Sequence, residues 1–144
     1  MDSTSKTRTN ESLRFTKIIN DVVPVIASKG YHGTSMTDLE QATGLTRSHL
    51  YYYIQSKQYL LYRICKGSTR EQIASAKKII ESSSAALHKL SHLILALVSE
   101  LYLYQDHAKV RLIEFPYLDK NYREDILRDR RAYTVYWTQV LDEA

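Results

Sequence analysis

Cysteine, proline and glycine are all scarce here: one, two and four residues in a chain of 144. A single cysteine, Cys65, excludes an internal disulfide and fits a reducing, cytoplasmic setting. Its plain reading is a small buried hydrophobe. So little proline and glycine argues for helices joined by few turns. No run approaches about 20 consecutive apolar residues, so neither a membrane span nor a membrane partner is expected. The opening "MDSTSKTRTNES" lacks an apolar centre, so it is no secretory signal and reads as a polar, flexible arm over 1–11. There is no glycine-rich phosphate loop, no nucleophile–base pair at useful spacing and no "HExxH". Catalytic residues, cofactors and metals are therefore assigned to none. His88 and His92 stand at a ligand spacing, but no carboxylate or cysteine completes a set, and a surface role is the expectation.

Charge is present but uneven. Residues 1–70 hold ten Lys/Arg against five Asp/Glu, and residues 71–144 hold ten against eleven. The basic half thus has a polyanion as a natural partner. "RDRR" at 128–131 is interleaved with Asp125 and Asp129 and reads as a solvated helix face.

Helical spacing runs through most of the chain, with no strand alternation and no internal repeat, so the expected fold class is all-α. A first helix spans about 12–28, should bend or shift its hydrogen bonding at Pro24, and stops at Gly30. Ser35 caps a second helix, about 36–43, with Asp38 completing an acidic capping box. Gly44 ends it. Thr46 caps a third, about 47–54, in which Leu50 and Ile54 share a face. A long helix covers about 57–82. An amphipathic one from about 87 to 104 carries Leu90, Leu93, Leu97, Leu101 and Tyr104. A short helix covers 107–115 and stops at Pro116, and a last runs from about 120 to 143.

The short helix, tight turn and short helix of 36–54 follow the helix-turn-helix plan, whose second helix enters the major groove N-terminus first. Its leading residues would be Thr46, Arg47, Ser48 and His49, all polar, at the end where the helix dipole favours phosphate. An arginine there can read guanine O6 and N7. Tyr51, Tyr52 and Tyr53 point about 100° apart. One should pack against the domain itself, and the others can offer rings to thymine methyls or sugars and hydroxyls to phosphates. Lys57 could hold a further phosphate.

The stretch "SKGYHGTSMTDLEQATGLTRSHLYYYIQSKQYLL" resembles the DNA-binding domain of the tetracycline-repressor (TetR) family of transcription regulators. The match runs over 13–66 and rests on the glycine–aromatic stop, the "TS" start, the "G-L-T" turn, the "LYYY" run and the following "SK". The resemblance implies that Ser35, Thr37, Arg47, Ser48, His49, Tyr51, Tyr52, Tyr53 and Lys57 occupy positions that commonly touch DNA. Ile54 stands where the family usually has phenylalanine, and His49 where it usually has glycine or threonine, so base preference does not transfer.

It also implies a three-helix reading domain over 12–56 and a helical ligand and dimer domain over 57–144. That second domain is expected to be incomplete at its C-terminus, because relatives add a further pair of helices there. "YLDKNYREDILRDRRAYTVYWTQVLDEA" is similar to a late helix of regulators that control fatty-acid or steroid breakdown and sense acyl-coenzyme A thioesters. The implied partners are double-stranded operator DNA, a second copy of the chain, and a hydrophobic small molecule of acyl-coenzyme A type. Leu97, Leu101, Tyr104, His107, Phe115 and Tyr117 are the candidate cavity lining, against a plain core role for each. The competing function is a helical protein–protein interaction module that does not bind DNA.

Overall fold

The computed structural model describes residues 3–144, which are mostly helical, with no strand among them. Seven α-helices follow in order: α1 (Ser3–Lys29), α2 (Met36–Thr43), α3 (Arg47–Ile54), α4 (Lys57–Ile80), α5 (Ala86–Leu103), α6 (Gln105–Lys109) and α7 (Lys120–Glu143). Between α6 and α7 lie a π-helical turn, Val110–Glu114, and a 3-10 turn, Phe115–Tyr117.

Helix α1 begins at Ser3, so residues 3–11 are helix rather than a flexible arm; the rest of that expected arm lies outside the described residues. The reason is in the residue types: this segment has neither glycine nor proline to stop a helix propagating back from the buried part. The helix also runs on through the exposed Pro24. The short helix expected over 107–115 divides into α6, the π turn and the 3-10 turn, and Pro116 sits inside that last turn instead of closing a regular helix.

The main core gathers α1, α2, α3 and the first half of α4. Ile18, Val22, Val23, Ile26, Leu39, Leu50, Ile54, Leu60, Leu61 and Ile64 are all buried there. Val110, Leu118 and Ile126 enter the same core, so the segment after α6 is packed directly onto the N-terminal helices. A second, smaller cluster joins Ala76, Leu93 and Val140, with Tyr133, Tyr136 and Trp137 partly covering it. Cys65 is buried in the main core, and burial pushes its thiol up to about 12.

Helix α4 is tied to α7 by charge as well as by apolar contact. The Lys66 ammonium lies 2.6 Å from Asp125 and 2.7 Å from Asp129. The tyrosine rings of Tyr62 and Tyr122 stack at 4.4 Å beside it. The "RDRR" face is therefore turned partly inward. Asp129 binds Lys66, and Arg130 lies over the Phe115 ring at 4.0 Å and donates to the Arg111 carbonyl. Periodicity could not distinguish this from a solvated face, because Lys66, the buried partner of Asp125 and Asp129, is 59 or more residues away.

Helix α5 is the exception to burial. It is long and apolar enough to cross a membrane by length and composition alone, yet Leu93 is buried against α4 and α7 and Glu100 is ion-paired to Arg111. Leu87, Leu95, Val98, Tyr102 and Leu103 face outward on it.

Candidate nucleic-acid interface and regulatory cavities

Helix α2 is set by its ends. Ser35 accepts the Asp38 amide, and the Asp38 carboxylate accepts the Ser35 amide at 2.8 Å, which closes the capping box. Lys29, from the end of α1, donates to the same carboxylate at 2.6 Å. The Lys29 contact first, and the Ser35 amide next, hold the Asp38 carboxyl down at about 2. Gly44 then turns the chain at φ 68°, a left-handed conformation that favours glycine, and Leu45 packs on the core. Thr46 caps α3 by accepting the His49 amide.

That turn leaves α3 with one buried edge and one free edge. Leu50 and Ile54 are fully buried. Thr46, Arg47, Ser48 and His49 are exposed at the N-terminal end, as are Ser35 and Thr37 at the start of α2. The three tyrosines part company as their 100° spacing requires. Tyr53 packs against the core, whereas Tyr51 is 43% and Tyr52 69% exposed. The Tyr52 and Tyr53 rings meet edge to face at 5.1 Å, so the packed ring props the exposed one.

Two of the cations are less free than the sequence implies. Arg47 donates through Nε and Nη2 to Glu40, at 3.1 and 2.8 Å, and through Nη2 to Thr37 at 3.1 Å. Glu40 was not legible as its partner, because the pairing depends on the angle between α2 and α3. Lys57 is half-buried with its ammonium 4.4 Å from the centre of the Tyr31 ring, and burial lowers its pKa.

Residues 20–64 match the family model described as bacterial regulatory proteins, tetR family. The match takes in the second half of α1, α2, α3 and the start of α4, and it is this N-terminal part of the chain that is similar to that family. It is 26% identical over 110 residues to the fatty acid metabolism regulator protein of Bacillus subtilis (strain 168), an alignment covering 68% of this chain and 57% of that protein. The chain thus spans little more than half of that relative's length. Among solved structures it is similar to the FadR regulator from Bacillus subtilis in complex with stearoyl-CoA, at TM-score 0.76 and 24% identity, covering 90% of this chain and 69% of that one. It is similar also to AibR in complex with isovaleryl coenzyme A and operator DNA, at TM-score 0.81 and 20% identity, covering 91% and 71%. At those identities the structures show a shared TetR-type fold.

Two cavities lie among α1, α4, α5, α6 and α7. One, of about 240 Å³, is lined mainly by apolar side chains of α4, α5 and α7, including Ala76, Leu93, Leu97 and Leu103, with Gln72 and Glu100 at its polar wall. The other, of about 400 Å³, lies between α1 and α4–α6 and is mixed in character, with Arg63, Lys66, Arg70 and His107 but also Glu71, Glu100 and Phe15 in its lining. Tyr104 and Glu100 border both.

The six candidate lining residues do not converge on one cavity. Leu97 and Tyr104 line the apolar one, and Tyr104 and His107 the mixed one. Leu101 is exposed, Phe115 packs on the N-terminal core, and Tyr117 is exposed with its ring 4.5 Å from His32. For Phe115 and Tyr117, the π turn just before them breaks the 3.6-residue register on which the spacing was read. His88 and His92 are exposed on α5, and no group of three metal-type side chains occurs among the described residues.

Proposed function

We propose that this chain is a ligand-responsive transcription regulator of the cytoplasm, a repressor that binds a near-palindromic operator as a homodimer. Residues 12–56 form the reading unit and 57–144 the sensing and dimer unit. The observation that carries the reading is the free edge of α3: Thr46, Arg47, Ser48, His49, Tyr51 and Tyr52 all lie exposed on a helix whose opposite edge is locked into the core. Arg47 reads a base edge, the tyrosines hold sugars and phosphates, and Ser35, Thr37 and Lys57 hold flanking phosphates. Tyr53 serves by propping Tyr52. Two copies place their reading helices about 34 Å apart on successive groove faces.

An acyl-coenzyme A thioester is the ligand that suits the paired cavities. The apolar cavity takes an acyl chain, and the neighbouring cavity offers Arg63, Arg70 and His107 to an anionic portion. The names of the two similar regulators, one bound to stearoyl-CoA and one to isovaleryl coenzyme A and operator DNA, support this class. The ligand releases DNA only to the extent that it binds one shape of the dimer more tightly than the other.

The test is fluorescence anisotropy with duplex DNA from the protein's own promoter region. Arg47→Ala and Tyr52→Ala should each weaken binding by about ten-fold, corresponding to 1–3 kcal/mol per base or stacking contact. Affinity should fall steeply between 50 and 200 mM salt, on the order of 10³-fold for several phosphate contacts. Parent-like binding by both variants, or salt-insensitive binding, removes α3 from the interface.

A further inference from the structure

The apolar cavity and the reading domain meet at one short segment, the π turn Val110–Glu114. Its two buried charges work in opposite directions. Arg111, 7% exposed, donates from Nη1 to Gln72 at 2.8 Å and from Nη2 to Glu100 at 3.0 Å. Gln72 donates in turn to Glu100 at 2.6 Å, closing a triad on the polar wall of the cavity. Arg111 Nε is buried with no acceptor, so the triad is not fully satisfied and holds its geometry less firmly than a complete network.

Glu114, also 7% exposed, faces the other way and accepts the Tyr31 amide at 3.0 Å. A helix end normally satisfies such amides within its own last turn. Here Gly30 N–H does bond back to Ile26, but the Tyr31 N–H is taken by a carboxylate 83 residues away. Tyr31 is itself a junction: Gln58 donates to its hydroxyl at 3.0 Å, and Lys57 lies over its ring. Direct contacts thus run from the cavity wall through Arg111, one turn of backbone, Glu114 and Tyr31 to the start of α4, beside the end of α3.

We propose that Glu114 is a positioning residue that clamps the reading domain through the Tyr31 amide, and that the Arg111–Gln72–Glu100 triad sets where that clamp sits. A molecule that draws Glu100 or Gln72 off Arg111 shifts the turn and with it the clamp. This rests on the reading of α3 as a DNA-binding element and of the cavity as its control.

The coupling is tested without DNA or ligand, by hydrogen exchange of the Tyr31 amide in the full chain. Glu114→Leu should speed that exchange at least ten-fold, and Glu114→Gln, which keeps an acceptor oxygen, should restore most of the protection. Arg111→Met and Glu100→Gln should each speed it several-fold, although the hydrogen-bond partners of both side chains lie outside α1. Leu112→Ala, at an exposed position on the same turn, should leave it unchanged. Should Arg111→Met fail to fold, the milder Glu100→Gln decides. Parent-like Tyr31 exchange in Glu100→Gln, or in Glu114→Leu, overturns the proposal. Failure of the parent to bind DNA would instead sink the functional reading and leave this coupling standing.

Discussion

Replacing Lys66 by methionine strips two aspartates of one counter-charge. The Lys66 side chain is 9% exposed, and Asp125 and Asp129 are each about a quarter exposed. Breaking a fully buried pair costs about 3–5 kcal/mol; carboxylates that can turn toward water reduce that to about 2–3 kcal/mol at pH 6. Tyr62 and Arg128 still hold Asp125, at 2.7 and 2.9 Å, so the loss is partial. The pH dependence is the sharper part. Lys66 first, then Tyr62, hold the Asp125 carboxyl down to about 2 from 3.8. A depressed folded value means stability that is full above about pH 4 and drains away as pH falls through about 2. Discounted for solvent screening, Asp125 contributes about 1–2 kcal/mol of this kind. Burial alone would lower the Lys66 value, but the two carboxylates outweigh it and raise it, so the lysine's own contribution is lost only above its ordinary range, in alkali. Because Tyr62 and Arg128 keep part of the depression in the variant and the loss is incomplete at pH 2.5, the gap between parent and Lys66→Met should narrow by about 1 kcal/mol between pH 6 and pH 2.5. Urea unfolding followed by circular dichroism at four pH values measures it. A gap that stays constant over that range refutes the reasoning.

Two further outcomes separate stability from recognition. Leu50→Ala should cost about 2–5 kcal/mol by opening a cavity in the main core, whereas Tyr52→Ala, on the same helix, should leave the melting temperature within a degree or two and weaken only DNA binding. A side chain on Gly33 would drive its Cβ into the Lys29 carbonyl oxygen, while Gly44 has open space and only a φ of 68° to satisfy. Gly33→Ala should thus destabilise by about 2–3 kcal/mol and Gly44→Ala by about 1–2 kcal/mol, read from thermal unfolding. Equal costs at the two positions would show that the close approach at Gly33 is relieved easily.

The segment 35–54 was the legible part. Ser35 with Asp38, Gly44 and Thr46 act within four residues of themselves, so their roles follow from local chemistry. The split of the three tyrosines into one packed and two exposed follows from helical rotation alone. The cavity lining was not legible. A π turn hidden in "VRLIE" changes the register by a residue, and nothing in the local residue types announces it. Nor could the sequence reveal that Arg47 leans on Glu40, or that Arg111 and Glu114 are buried, since each depends on a partner from another helix.

The amino-acid order by itself determined an all-helical chain, the positions of the caps and turns, and a polar leading edge on the third helix. These are short-range matters, decided by backbone preference and by an apolar stripe seeking cover. The tertiary structure alone decided which charges are buried, which cavity each side chain borders, and that a carboxylate near residue 114 would hold an amide near residue 31. A long-range contact is set by how packed helices cross, and no window of the sequence contains that angle.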